Sequence, residues 1–131
     1  MKIAILASMS FKKKIIEVQE SLEGLGFIVG TPYETASLNY SKKDHDRFKK
    51  ELDLISANYQ YVKSHDVVLV INLTKSGIKN YIGGNSLIEM AFAHIMKKNI
   101  YLLNPIPNMI YTSEIEAMNP IILDGDLKKI E

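Results

Sequence analysis

Residues 66 to 103 read DVVLVINLTKSGIKNYIGGNSLIEMAFAHIMKKNIYLL. The run Val67–Ile71 is apolar at every position, as a strand covered on both faces requires. It ends at Asn72 and opens into a polar, glycine-bearing loop. The loop feeds a helix, predicted to be capped by Asn85 or Ser86 and to run to about Lys97. A second apolar strand, Ile100–Leu103, follows. This is a strand, loop, helix, strand unit. In such units ligands collect where a strand's carboxyl end meets the next helix's amino end.

The same pattern extends outward in both directions. Lys2–Ala7 reads as a first strand and Ser8 to Ser10 as a polar turn. Phe11 to Leu25 reads as a helix with Phe11, Ile15, Val18, Leu22 and Leu25 on one face. Gly24 and Gly26 end it, and Phe27 to Val29 forms a second strand closed by Gly30 and Pro32. Tyr33 to Lys43 is polar and irregular. Asp44 to Ser64 reads as a long helix with Phe48, Leu52, Ile55, Tyr59 and Val62 inward, and Asp44-His45-Asp46 as its solvated start. Beyond the quoted stretch, Asn104 to Pro107 is a rigid loop and Ser113 to Met118 a short helix. Ile121 to Leu123 is a fifth strand, and Asp126 to Ile130 a terminal helical turn. Continuous apolar strands alternating with helices predict an α/β fold: a flavodoxin/Rossmann-like, three-layer, doubly wound domain with a five-stranded parallel sheet in the order 2-1-3-4-5. One domain spans residues 1–131, as this length allows.

Composition narrows the function classes. The net charge of +1 gives no global field for a nucleic-acid polymer or a membrane surface. Lys12-Lys13-Lys14, the densest basic spot, reads as a solvated helix face. With no cysteine, disulfides and thiolate chemistry are excluded, and the three scattered histidines have no metal-ligand spacing. No metal or cofactor is expected. The opening MKIAILASMS lacks a long signal-peptide core, and no run approaches a transmembrane span, so the expected location is the cytoplasm.

In the 2-1-3-4-5 order the crevice lies between strands one and three, built from the Ser8–Ser10 turn and the Asn72–Asn85 loop. Both precede helix amino ends, which favour anions. Glu89 is the one acid on the following helix, placed in its first turn. Ser86-Leu87-Ile88-Glu89 matches the capping box, in which the glutamate only satisfies a cap N–H. Against this, Gly83-Gly84 permits close backbone approach. The helix after Glu89 (Met90, Ala91, Phe92, Ala93, Ile95, Met96) reads as buried all round. That surrounding would desolvate the carboxylate and raise its pKa.

These residues resemble the nucleoside 2-deoxyribosyltransferase-like superfamily, which includes deoxynucleoside 5′-monophosphate N-glycosidases. The resemblance rests on four features: Asp66-Val-Val-Leu-Val, Gly83-Gly84, Glu89 followed by Ala91 and Ala93, and Lys98-Asn-Ile-Tyr-Leu-Leu. It covers the chain from the Ala7-Ser8 turn to the strand at Ile121. It implies a Glu89 nucleophile attacking C1′ of a (deoxy)ribose, Ser8 and Ser10 at the sugar's 5′ end or its phosphate, and Gly83, Gly84, Asn85 and Ser86 as the wall beside the sugar. It further implies a nucleoside or nucleotide ligand and a homodimer or higher homo-oligomer, with Asn104–Met118 as candidate contact. Two departures stand out. Asn58 occupies the position of an acid that helps hold or protonate the base, and Gly83 that of an acid some members carry before the nucleophile.

Other residues carry weaker signals. Asn72, at a strand's carboxyl end, is a candidate cleft residue. Asp66 reads as a polar strand opening, His94 as a packed core histidine. Tyr33, Tyr40, Tyr59, Tyr81 and Tyr111 are candidates to stack on a base or hold a sugar hydroxyl. Two alternatives to the enzyme reading are a nucleotide-binding sensor or interaction module without turnover, and a TIR-like NAD-cleaving enzyme.

Overall fold

The computed structural model describes residues 1–32 and 53–131. Five strands form one sheet: β1 (Lys2–Leu6), β2 (Ile28–Gly30), β3 (Val67–Val70), β4 (Ile100–Leu102) and β5 (Ile121–Ile122). Their order is β2-β1-β3-β4-β5 and every pairing is parallel, as expected from the sequence. Strand periodicity then sorts each apolar run between two layers. Ile3, Ile5, Val67, Leu69, Ile71, Tyr101 and Leu103 point to one face, where Phe11, Ile15, Val18 and Leu22 cover them. Ala4, Leu6, Val68, Val70, Ile100 and Leu102 point to the other, under Tyr61, Val62, Ile82, Met90, Ala93 and Ile115. Runs without alternation are the mark of strands buried on both sides, and the two clusters explain why every position in them is apolar.

The four helices among the described residues are α1 (Lys12–Gly24), α2 (Leu54–Lys63), α3 (Gly84–Ile95) and α4 (Thr112–Ala117). Helix α1 ends in a Schellman motif. Gly26 takes φ +95°, its N–H reaches Glu23 O, and the Phe27 N–H reaches Leu22 O at 3.1 Å. Leu25 is the cap residue and 47% exposed, so the apolar face stops at Leu22. Helix α3 closes with the same hydrogen bonds, but Lys97 holds the left-handed position at φ +58°.

Of the single helix expected over Asp44–Ser64, the described part begins only at Leu54. Asp53 stands at φ 46° and caps α2, its carboxylate accepting the Ser56 N–H and hydroxyl. Those two bonds hold the Asp53 carboxyl below its ordinary pKa. Within α2 the buried residues are Tyr61 and Val62, whereas Ile55 and Tyr59 are exposed. The inward strip is therefore Leu54, Ala57, Asn58, Tyr61 and Val62: Val62 packs inward as expected, whereas Ile55 and Tyr59 do not. Phe48, Leu52, Tyr33, Tyr40 and the Asp44-His45-Asp46 cluster lie outside the described residues.

Candidate active site

The loop after β3 is ordered by its own backbone. Lys75 and Ile78 form an antiparallel bridge with hydrogen bonds of 3.0 and 3.1 Å in the two directions. Ser76 and Gly77 both take positive φ, the signature of a two-residue type I′ turn. The Tyr81 N–H then bonds Leu73 O at 2.9 Å, folding the loop back on itself. The chain enters α3 at Gly83, whose extended backbone is the cap; Gly84 is the first helical residue.

This start corrects the reading of Glu89. Neither Asn85 nor Ser86 caps the helix, no side chain caps it, and no acid lies in its first turn. Ser86 is the third helical residue and Glu89 the sixth, one turn too deep for a capping box. Glu89 is only 7% exposed and has no hydrogen-bond or ion-pair partner among the described residues. Its carboxyl is pushed up from 4.5 to about 8, and desolvation by burial is the cause. A carboxylate in this state needs either a proton or a ligand. Burial around α3 is one-sided rather than complete: Ser86, Glu89, Met90 and Ala93 face inward, while Ile95 is 78% exposed. His94, expected in the core, is exposed for the same reason.

The crevice between β1 and β3 is bridged by side chains. Ser8 caps a 3-10 turn at Met9–Phe11, and its hydroxyl lies 2.8 Å from the Ser10 hydroxyl. Lys75 Nζ donates to Ser8 Oγ at 2.7 Å, joining two segments far apart in sequence. The same ammonium stands 5.7 Å from the centre of the Tyr81 ring. That ring lies against Gly83, where an added Cβ would sit 3.5 Å from Tyr81 Cε1. Tyr111 donates its hydroxyl to Ile82 O; desolvation first, then Tyr81, raises its pKa. Thus Ser8, Ser10, Lys75, Tyr81 and Gly83 line one rim, with Glu89 on the helix that the loop feeds. Gly84 and Asn85 are exposed at the helix start, and Ser86 is buried beneath it.

Asn72 does a different job from the one expected. It is fully buried, and its amide nitrogen donates to Asn104 O at 2.9 Å and Pro105 O at 3.1 Å. Its amide oxygen accepts the Asn104 N–H, and Asn104 Nδ2 returns a bond to Asn72 O. With both ends of the amide engaged, Asn72 is a clasp between the loops after β3 and β4, not a substrate contact. Asn58 is half-buried on the packed strip of α2, which runs beside α3; Tyr59 and Phe92 meet edge to face at 5.3 Å. Asp66 sits at the opposite end of the sheet, accepting the Lys2 N–H at 2.7 Å. Lys75 was not singled out by the sequence, although it is one of two cations in a loop already assigned to the crevice. Among the described residues no cluster of metal-ligating side chains occurs, and no helix is long and apolar enough to cross a membrane.

The fold is a three-layer α/β domain built on a five-stranded parallel sheet in the order 2-1-3-4-5. Two solved structures share it. One is the 2-deoxyribosyltransferase of Bacillus psychrosaccharolyticus, at TM-score 0.62 and 18% identity over 88% of this chain and 81% of that one. The other is the CMP N-glycosidase BcmB of Clostridium botulinum, at TM-score 0.55 and 17% identity over 93% and 85%. At such identity the likeness establishes a common fold. No family model and no curated protein matches the sequence.

Proposed function

We propose that this protein cleaves or transfers at the N-glycosidic bond of a (deoxy)nucleoside or nucleotide, with Glu89 as nucleophile. The observation that carries the reading is Glu89 itself: a buried carboxyl without a partner among the described residues, one turn into the helix that opens on the crevice. Natural helices rarely keep an unpaired acid in such a place without a use for it. The two structural neighbours act at N-glycosidic bonds by their names, which supports the same chemistry here.

In this reaction an Oε of ionised Glu89 bonds to C1′ as the C1′–N bond breaks, and the electron pair leaves with the base. The base takes its proton from solvent, because Asn58 has none to give. Water then adds to C1′ of the glycosyl ester and returns the carboxylate, or a second base does so in transfer. With its pKa near 8, about a tenth of Glu89 is ionised at pH 7. Burial that keeps the group largely protonated also sharpens its attraction to the cationic sugar at the transition state. The reading includes a cytoplasmic homodimer or higher homo-oligomer, which gel filtration checks.

The test is a base-release panel of nucleosides, nucleotides and nicotinamide dinucleotide. Release from at least one class, abolished in a folded Glu89→Gln variant, is the expected result. Silence across the panel would end the proposal. Asn58 favours one second reading, a nucleotide-binding module without turnover. Ligand-dependent thermal stabilisation with no release, persisting in Glu89→Gln, would mark that outcome.

A further inference from the structure

Helix α3 begins weakly for an element that carries the proposed nucleophile. Gly83 is its cap and Gly84 its first residue, no side chain caps it, and Gly84 and Asn85 are exposed. Glycine is among the poorest helix formers, because fixing its backbone costs the most entropy. Helix ends of this kind fray. Side chains on a helix lean toward its amino end, so the Glu89 carboxyl lies over the turn that contains Ser86. Unwinding that turn would bring water to Ser86 and Glu89, which are 5% and 7% exposed. What holds the start is a contact from outside the helix. The Tyr111 hydroxyl donates to Ile82 O, the last carbonyl before the cap, and Ile82 is itself buried. The helix's own ladder takes over at the next residue, where the Leu87 N–H reaches Gly83 O at 2.9 Å. Tyr111 is braced in turn. Thr112 Oγ1 accepts the Met109 N–H at 2.8 Å and lies 2.8 Å from Pro107 O, closing the loop that presents the tyrosine. The ring packs against the core cluster that contains Ile82 and Met90. Burial first, and then Tyr81, push its hydroxyl above the ordinary value, so it stays a donor throughout the range in which Glu89 titrates.

We infer that Tyr111 is a positioning residue for Glu89: by holding the Ile82 carbonyl it fixes the point at which α3 begins and keeps water from the Glu89 carboxyl. Its part in catalysis rests on the N-glycosidic reading, whereas its hold on the surroundings of Glu89 does not. Tyr111 acts through the helix start and not on the substrate. Among the described residues, the elements packed against α3 bring no charge to Glu89. Strands β3 and β4 carry one titratable side chain, Tyr101, which points to the other face of the sheet. On α2, Tyr61 donates its hydroxyl to Ile5 O, Tyr59 meets Phe92 edge to face, and Lys63 stands 5.9 Å from the centre of the Tyr59 ring. Glu114 and Glu116 of α4 and His94 of α3 are exposed. Exclusion of water therefore governs the carboxyl, and the helix start governs the water.

The experiment titrates Glu89 directly, by the NMR shift of its side-chain carboxyl carbon, in wild type and Tyr111→Phe. Phenylalanine keeps the ring and its packing and removes only the hydroxyl. The acid dissociation constant of Glu89 is expected to rise about tenfold or more in the variant, because water reaching the carboxyl stabilises its charged form. Hydrogen exchange of the Leu87 amide should quicken with it, since that bond closes the first turn. Gly26→Ala, which loosens the end of α1 on the opposite face of the sheet, is expected to move neither. An unchanged Glu89 titration in folded Tyr111→Phe overturns the proposal, and so does an equal shift in Gly26→Ala. Should Tyr111→Phe not fold, the same substitution is made in a Lys97→Gly background, where the far end of α3 is relieved of a left-handed lysine, and read against Lys97→Gly alone. Base release separates the two ideas. With an active wild type, the ascending limb of kcat/KM should move to lower pH in Tyr111→Phe, and kcat at alkaline pH should fall more than KM rises. A titration shift without base release from any substrate leaves Tyr111 in its role and ends the glycosidic reading. Turnover by the wild type with an unmoved Glu89 titration in the variant does the reverse.

Discussion

Glu89→Gln separates the thermodynamic cost of a buried acid from its chemical use. The carboxyl's ordinary value is 4.5 and burial raises it to about 8. The folded protein thus binds this proton more tightly than the unfolded chain does. The sign follows from that: the group's contribution is most favourable below pH 4.5 and declines as pH rises toward 8, after which it stays constant. At 1.36 kcal/mol per pKa unit the full penalty is roughly 5 kcal/mol, of which roughly 3 kcal/mol is already present at pH 7. Glutamine has the same shape and no charge. Urea unfolding of the two proteins from pH 5 to pH 9 should therefore show the variant gaining stability relative to wild type with rising pH, by several kcal/mol over the range. Base release by the wild type should move oppositely, with kcat/KM climbing along a limb whose apparent pKa is near 8, because only the ionised form attacks. Parallel stability curves across the range would refute the burial argument. An ascending limb near pH 4.5 would refute Glu89 as a desolvated nucleophile.

Three further outcomes test the framework around the site. Asn72→Ala should cost about 1–3 kcal/mol in denaturant unfolding, since it removes the three hydrogen bonds that its buried amide makes to the Asn104 and Pro105 backbone; a raised KM with unchanged stability would restore it as a substrate contact. Gly26→Ala should lose about 1 kcal/mol and Lys97→Gly should gain a similar amount, because both occupy left-handed positions in the same helix-closing motif. Lys98→Met should lower the melting temperature: Lys98 Nζ donates to the carbonyls of Val62, Lys63 and His65, closing the end of α2, at a cost of about 1–3 kcal/mol when removed.

How much of this was legible beforehand depended on the range of the interaction. Strand and helix identities were readable because they follow from the spacing of apolar residues over a few positions, and the β2-β1-β3-β4-β5 order was expected because five alternating strands in this length fit the flavodoxin-like arrangement. Helix boundaries were less so. The S-x-x-E spacing suggested a cap at Ser86, but the loop folds back through Tyr81 and Leu73 and delivers the chain to the helix at Gly83, which moves Glu89 into the interior. Helix faces slipped for a similar reason. Ile55 and Ile95 fit an apolar stripe by spacing yet are exposed, while Val62, Met90 and Ala93 are covered as expected and Tyr61 joins them.

The sequence by itself therefore determined the layer architecture and singled out Glu89 as the one acid of α3, both consequences of local pattern. Only the tertiary structure decided what that acid experiences. Burial of Glu89 depends on which turn of α3 meets the sheet. The commitment of Asn72 depends on β4 delivering Asn104 beside it, and the bridge from Lys75 to Ser8 spans strands that are neighbours only in the folded sheet. Desolvation and long-range hydrogen bonds are properties of surroundings, and surroundings exist once the chain has closed on itself.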